Sequence, residues 1–380
     1  MYSFASSLHC PDHVRWKDSL DYSSFVADAL VEAYRLIRTD NGQVPAFSHA
    51  AVILSPLAGA LMSARQRMHV CFILATAIAA RDEYELALGW LDQSLSLARQ
   101  LDDIDAQCEL FWLRASFNRA LLRFVDAIGD SCECLDLLDA QREIQGTEHS
   151  DARLHTYARL ASYAFFVGQP RLAERSLEEV RQLAAQSSHQ RYDVACAEWT
   201  QAHLYNIYGQ PDRAISHALS VYDDYIREAT PISRDRFETF LVQVSLSWAG
   251  KLPQGSYRDA VLTLALPHLE MAEQLAKQTQ DIPGQGLAQL SRIHYQRLTG
   301  ANVRRISSLE AVLRLGKELG DVALLAQAYT TLGDDLVFSD EVQSSLNCYR
   351  SALRTLEGSQ VRVYGTIARR SLLTYQEMTI

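Results

Sequence analysis

The chain of 380 residues is 48% apolar and 22% charged, with only 9 prolines and 17 glycines, which is the make-up of a folded protein and not of a disordered one. Its formal net charge of −10 argues against a generic nucleic-acid binder, because neutralising phosphates takes a basic surface. The 7 cysteines are odd in number and scattered through apolar runs, so they read as buried free thiols in a reducing, cytoplasmic setting and not as a disulfide framework.

Taken from the start, "MYSFASSLHCPDH" has neither a basic n-region nor an apolar h-region, so no signal peptide is expected. It gathers His9, Cys10, Asp12 and His13, all able to ligate a metal. No second cluster of similar spacing exists, and the stretch reads as a flexible N-terminus. Residues 44–64 carry no Asp, Glu, Lys or Arg and would just span a bilayer. Pro56, three serines and His49 interrupt the run, so a buried helix or an oligomer face is expected and membrane insertion is not. Self-association through 44–64 remains open. Residues 1–65 are assigned to an N-terminal helical cap without a helix-turn-helix pattern.

A repeat follows. "GQPRLA" at 168–173 and "GQPDRA" at 209–214 each close an aromatic-rich helical run. Anchored on the alanine that ends them, the pattern extends to Ala87, Ala127 and Ala260, each three residues after an aromatic, with spacings of 40, 46, 41 and 46. Ser345 takes the alanine slot near the end, and 282–299 with 303–319 fill the gap between. Each unit reads as two amphipathic helices joined by a corner. Proline stands in the first turn of the second helix, where its missing N–H costs nothing. In the 241–260 unit the corner is extended, and Pro267 predicts a kink or break in the helix that follows. The expected fold is all-α, a right-handed superhelical solenoid of about seven hairpins over 66–360, closed by a C-terminal capping helix at 361–380.

The pattern resembles the tetratricopeptide repeat. The 326–356 unit carries it best, with Tyr329, Leu332, Gly333, Ser345, Tyr349 and Ala352 in the aromatic, Leu-Gly, small, aromatic and Ala positions. The 68–101 unit matches through Ala75, Tyr84, Ala87 and Leu91. The period near 40 and tags such as "LARQLDD" and "LGKELGD" resemble the long repeats in the effector arms of bacterial MalT-type and peptide-sensing (Rap, PlcR-like) regulators. The resemblance implies a concave wall built from the first helix of each unit. Carried over position by position, the wall comprises His69, Phe72 and Thr76; Glu109, Trp112, Ser116 and Arg119; His155, Ser162 and Phe165; Trp199, His203 and Asn206; and Gln327, Thr330 and Asp334.

Of these, Trp112, Arg119, His155, Phe165, Trp199, His203 and Asn206 are the candidate partner-binding residues. Along the wall, rings would take apolar side chains, while amides and hydroxyls would take backbone groups. Trp112 and Trp199 admit a second reading, as core between hairpins. The Lys/Asn/Arg carboxylate clamp of chaperone-docking repeats is not reproduced by Arg119 and Asn206. No HExxH, GxSxG or phosphate-loop sequence appears, and no catalytic residue, cofactor or metal is assigned. The expected function is therefore a non-enzymatic interaction scaffold that holds a protein segment or peptide. The alternatives are a regulator whose superhelix changes shape on binding a ligand, and an enzyme or accessory subunit that uses the solenoid as a platform.

Overall fold

The computed structural model describes residues 63–79, 83–145, 149–185, 191–229, 231–300, 305–338, 341–357 and 359–360, with Ala29, Glu32, Ala33, His49 and 52–55 ahead of them. The expected caps, 1–65 and 361–380, and the uncharged 44–64 run thus lie almost wholly outside the described residues, as does the His9–His13 cluster. Among the described residues all regular structure is helical, and no helix is long and apolar enough to cross a membrane. The chain forms two compact units that divide between Thr156 and Tyr157.

The first unit holds α1 (Ala64–Ala79), α2 (Tyr84–Gln100), α3 (Ile104–Ala120), α4 (Phe124–Gln145) and the start of α5 (Ser150–Val167). The second continues with α6 (Pro170–Ala184), α7 (Arg191–Ile207), α8 (Pro211–Ser220), α9 (Tyr222–Glu228), α10 (Pro231–Ala249), α11 (Ser256–Gln278), α12 (Ile282–Thr299), α13 (Arg305–Leu319), α14 (Val322–Phe338) and α15 (Val342–Thr355). Successive helices pair as hairpins, α1 with α2, α3 with α4, α10 with α11 and α14 with α15. In the second unit the first helices α10, α12 and α14 also pack side by side.

The corner geometry explains why one turn is written twice. Gly168 and Gly209 take φ of 78° and 76°, the left-handed region that glycine enters without steric cost. In the first corner Gly168 N–H donates to Phe165 O and Gln169 N–H to Ala164 O; in the second, Gly209 N–H donates to Asn206 O and Gln210 N–H to Tyr205 O. Asp102, Leu122 and Gln280 hold the same left-handed backbone at φ of 50°, 59° and 54°. Their corners close alike, with Asp103, Arg123 and Asp281 N–H donating to Ala98, Asn118 and Ala276 O. The corner therefore belongs to the hairpin, and glycine is its least strained form.

Small anchors let the paired helices approach. Ala87, Ala127, Ala173 and Ala214 are fully buried, and Ser345 is 1% exposed. The anchor expected at Ala260 is displaced. Ala260 and Tyr257 are exposed, and the buried face of α11 instead runs through Ala265, Leu269, Ala272 and Ala276. Those spacings reproduce Ala87, Leu91, Ser94 and Ala98 of α2. The extended "AGKLPQGSY" corner is followed by an exposed lead-in of the helix, which shifts the register. Pro267 does not break the helix: α11 is continuous through it, with Pro267 and Thr263 both on the exposed side. There the carbonyl that proline leaves without a donor is open to water. At the close of the array the Leu-Gly position is used sterically, since a Cβ on Gly333 would come within 2.6 Å of the Tyr349 ring.

Candidate functional site

In the first unit the wall expected on α1 is filled. His69 is 2%, Phe72 9% and Thr76 1% exposed, and Phe72 belongs to the same core as Ala29, Ala33 and Leu54. All three are buried, so this part of the expected wall is core. Burial, followed by the charge of Arg65, drops the His69 pKa to about 3 and keeps its ring neutral.

On α3, Trp112 is half-buried and its Nε1–H donates to Thr156 Oγ1 at 2.8 Å. His155 meets it edge-on, with ring centroids 4.7 Å apart. Ser116 is buried and turns back to donate to Trp112 O. Arg119 is half-buried and engaged in contacts. Glu109 is half-buried too. Burial, with Asp103 and Asp105 adding repulsion, raises its carboxyl to about 7.

In the second unit three helices converge their rings on one spot. Phe165 of α5 lies 5.1 Å from the His203 ring of α7, and Phe240 of α10 lies 3.9 Å from that same ring. Trp199, one turn before His203, is ringed by Tyr225 at 5.2 Å, Phe237 at 5.3 Å and Phe240 at 6.4 Å. Phe165 is 6% exposed and closes the edge of this cluster. Burial lowers the His203 pKa to about 3, so the ring is a neutral imidazole with one donor and one acceptor nitrogen.

Trp199, His203 and Asn206 follow one another at i, i+4 and i+7 and share one face of α7. One of their polar groups is unsatisfied: Trp199 Nε1 is buried without an acceptor, while His203 and Asn206 are half-exposed. An orphaned buried N–H costs about 1–3 kcal/mol, so its retention calls for an explanation. The expected wall residues of the last unit, in contrast, are committed. Gln327 accepts from Gln243 at 3.1 Å, Thr330 donates to Ala326 O, and Asp334 accepts the Tyr349 hydroxyl at 2.7 Å. The structure thus brings Phe165, Trp199, His203 and Asn206 together, and places Trp112 beside His155 in the other unit.

One contributor, Phe240 of α10, stands outside the wall positions that the family pattern supplied. A sequence signal for it exists. Phe240 stands the same distance before Gly250 as Trp199 before Gly209. No group of His, Cys, Asp and Glu side chains capable of holding a metal occurs among the described residues.

Similarity to known structures decides the architecture. The apo form of the quorum sensor NprR from B. thuringiensis superposes with a TM-score of 0.63 at 15% identity, covering 90% of each chain. The chain shares the all-helical, tetratricopeptide-like solenoid fold of that structure. A Rap protein complexed with competence and sporulation factor has a TM-score of 0.54 at 11% identity, over 93% of this chain and 98% of that one. The apo form of RapI gives 0.56 at 11% identity, over 88% and 98%. No family model matches the sequence, and no curated protein does. The tetratricopeptide-like fold is thus shared at identities that carry architecture alone, as its long-repeat pattern implied.

Proposed function

We propose that the chain is a non-enzymatic interaction protein that binds an extended partner segment or peptide along the α7 face of its second unit. The observation that carries this reading is the orphaned Trp199 Nε1–H, on the same face of α7 as the half-exposed His203 and Asn206 and beside the rings of Phe165 and Phe240. An extended backbone offers alternating N–H and C=O groups that such a row can satisfy, while the rings take a side chain between them. A neutral imidazole serves here better than a charged one, because it can accept as well as donate. The chain works in the cytoplasm on this reading, without cofactor or metal.

A second reading is a ligand-responsive regulator. It is supported by the shared fold with a quorum sensor and with a Rap protein solved in complex with competence and sporulation factor. The two readings differ in whether the bound segment has a preferred repeat arrangement, since a ligand shifts conformation only by its differential affinity for two states.

The test starts from peptides selected on the purified full chain from a random display library. Their affinities are measured by calorimetry against wild type and Asn206→Ala, with circular dichroism as the control for folding. A loss of about tenfold, the worth of about one good hydrogen bond, at unchanged helicity supports the α7 face. Selected peptides that bind both forms equally remove it. Small-angle scattering with and without the same peptide then separates a fixed scaffold from a compacting regulator.

A further inference from the structure

The second helices of the hairpins turn a polar side to water, and α11 departs from that rule. In α6 the exposed positions at i, i+4 and i+7 are Arg171, Arg175 and Glu178, and in α13 they are Glu310, Arg314 and Lys317. Charge is what an uncovered helix face carries. In α11, residues 260–269 hold no Asp, Glu, Lys or Arg. Tyr257 is 58% and Leu264 37% exposed, Ala260 and Pro267 are exposed as well, and Met271 is half-buried.

These five side chains recur at intervals of three, four, three and four residues. That spacing keeps a row on one line of a helix and is the one by which two helices pack along each other. The row is not the face that α11 spends on its own hairpin, since Val261, Ala265 and Leu269 are the residues buried in that core. It is a second apolar face, on a different element from the α7 face assigned to peptide.

We propose that this face binds a second copy of the chain, α11 against α11, antiparallel about a twofold axis. The reason is that the row complements itself. With the axis between Ala265 and Leu266, Leu264 meets Pro267 of the second copy, Ala260 meets its Met271, and Tyr257 meets its Gln274 amide. Each large side chain thus faces a smaller or a polar one, as an isologous contact requires. On the flank, the exposed Glu270 comes beside Thr263 of the second copy and the exposed Lys277 beside its Ser256, so no like charges are opposed. A single helical row is narrower than the about 800 Å² per partner of a standard interface. The dimer is therefore reversible and depends on concentration.

The experiment is sedimentation velocity on the purified full chain, kept under reductant and run over a wide range of concentration. The expected result is a monomer–dimer equilibrium in the wild type. Leu264→Asp, with helicity checked by circular dichroism, should weaken it by about tenfold or more, the worth of one apolar contact turned into a buried charge. Thr263 tests the register, because its hydroxyl only donates to Asp259 O of its own helix, at 2.8 Å. Thr263→Lys sets a cation beside Glu270 of the second copy and should tighten the dimer by about threefold, while Thr263→Glu should loosen it by about as much. A chain that stays monomeric at the highest concentration overturns the proposal. So does a dimer that survives Leu264→Asp intact, which would place the contact on another surface, and so do Thr263 variants that shift the equilibrium in the same direction. Should Leu264→Asp lose helicity, the opposed response of the two Thr263 variants decides.

Discussion

Trp199 separates packing from recognition. Its ring touches Tyr225, Phe237 and Phe240, while its N–H meets nothing. Trp199→Phe keeps most of the ring and removes the orphan donor, so stability should stay within about 1 kcal/mol of wild type. Affinity for a selected peptide should fall by about tenfold. Trp199→Ala, which leaves a cavity, should cost about 3–5 kcal/mol in a urea melt. A Phe variant that binds as well as wild type would mark the N–H as a mere defect of the core. A buried carboxylate offers a second test at this scale. Asp235 is fully buried, and burial pushes its pKa up to about 6 against the pull of Arg236, with Asp281 and Glu238 adding to the rise. A folded-state pKa above the unfolded value means that ionisation costs stability as pH rises from about 4 to 6. Asp235→Asn should therefore be more stable than wild type by about 3 kcal/mol at pH 7, with the gain fading as pH falls from 6 to 4. Paired denaturant melts across that range measure it. Glu198 runs the other way. Bonds from Arg181 and His217 outweigh its burial and hold it near 2, so its contribution persists above about 4 and is lost only as pH falls towards 2.

At the scale of helices and corners, the shared left-handed turn yields a paired test. Gln280 is exposed and holds φ of 54°, a conformation that costs a non-glycine residue about 1 kcal/mol. Gln280→Gly should recover about that much, and Gly209→Ala should lose about as much by the same strain; thermal melts of the two variants should move in opposite directions. The corner is also the feature most legible in the sequence. Gly168, Gly209, Pro170 and Pro211 declare it openly, and from there the hairpin plan and the all-helical fold follow. Ala260 misleads because its distance from Tyr257 imitates the other anchors. What sets the true register is which face of α11 finds a partner, and an insertion in the preceding corner moves that face to Ala265. The α1 wall fails for a related reason. Family positions state where a helix points, but His69, Phe72 and Thr76 are buried, and Phe72 shares one core with Ala29, Ala33 and Leu54. Trp199, His203 and Asn206 are legible as one helical face from spacing alone. That the Trp199 N–H is left without an acceptor is a statement about every neighbour, and no spacing contains it.

For the molecule as a whole, hairpins that touch mainly their neighbours make stability a sum of local terms. Leu269 is fully buried in the α10–α11 core, and Leu269→Ala should cost about 2–5 kcal/mol there. Hydrogen exchange should show protection lost chiefly in residues 231–299, with α2–α4 of the other unit nearly unchanged; a uniform loss over both units would show one cooperative block. The two indoles described above divide along the same line. Trp112 lies in the first unit with its N–H bonded, and Trp199 lies in the second with its N–H bare. A bare indole proton resonates upfield of a bonded one, so these two of the chain's five tryptophans are told apart by chemistry. A ligand that crosses the α7 face would drive the Trp199 signal downfield and leave its counterpart in place. The chain thereby reports which half has been visited, through protons it already carries.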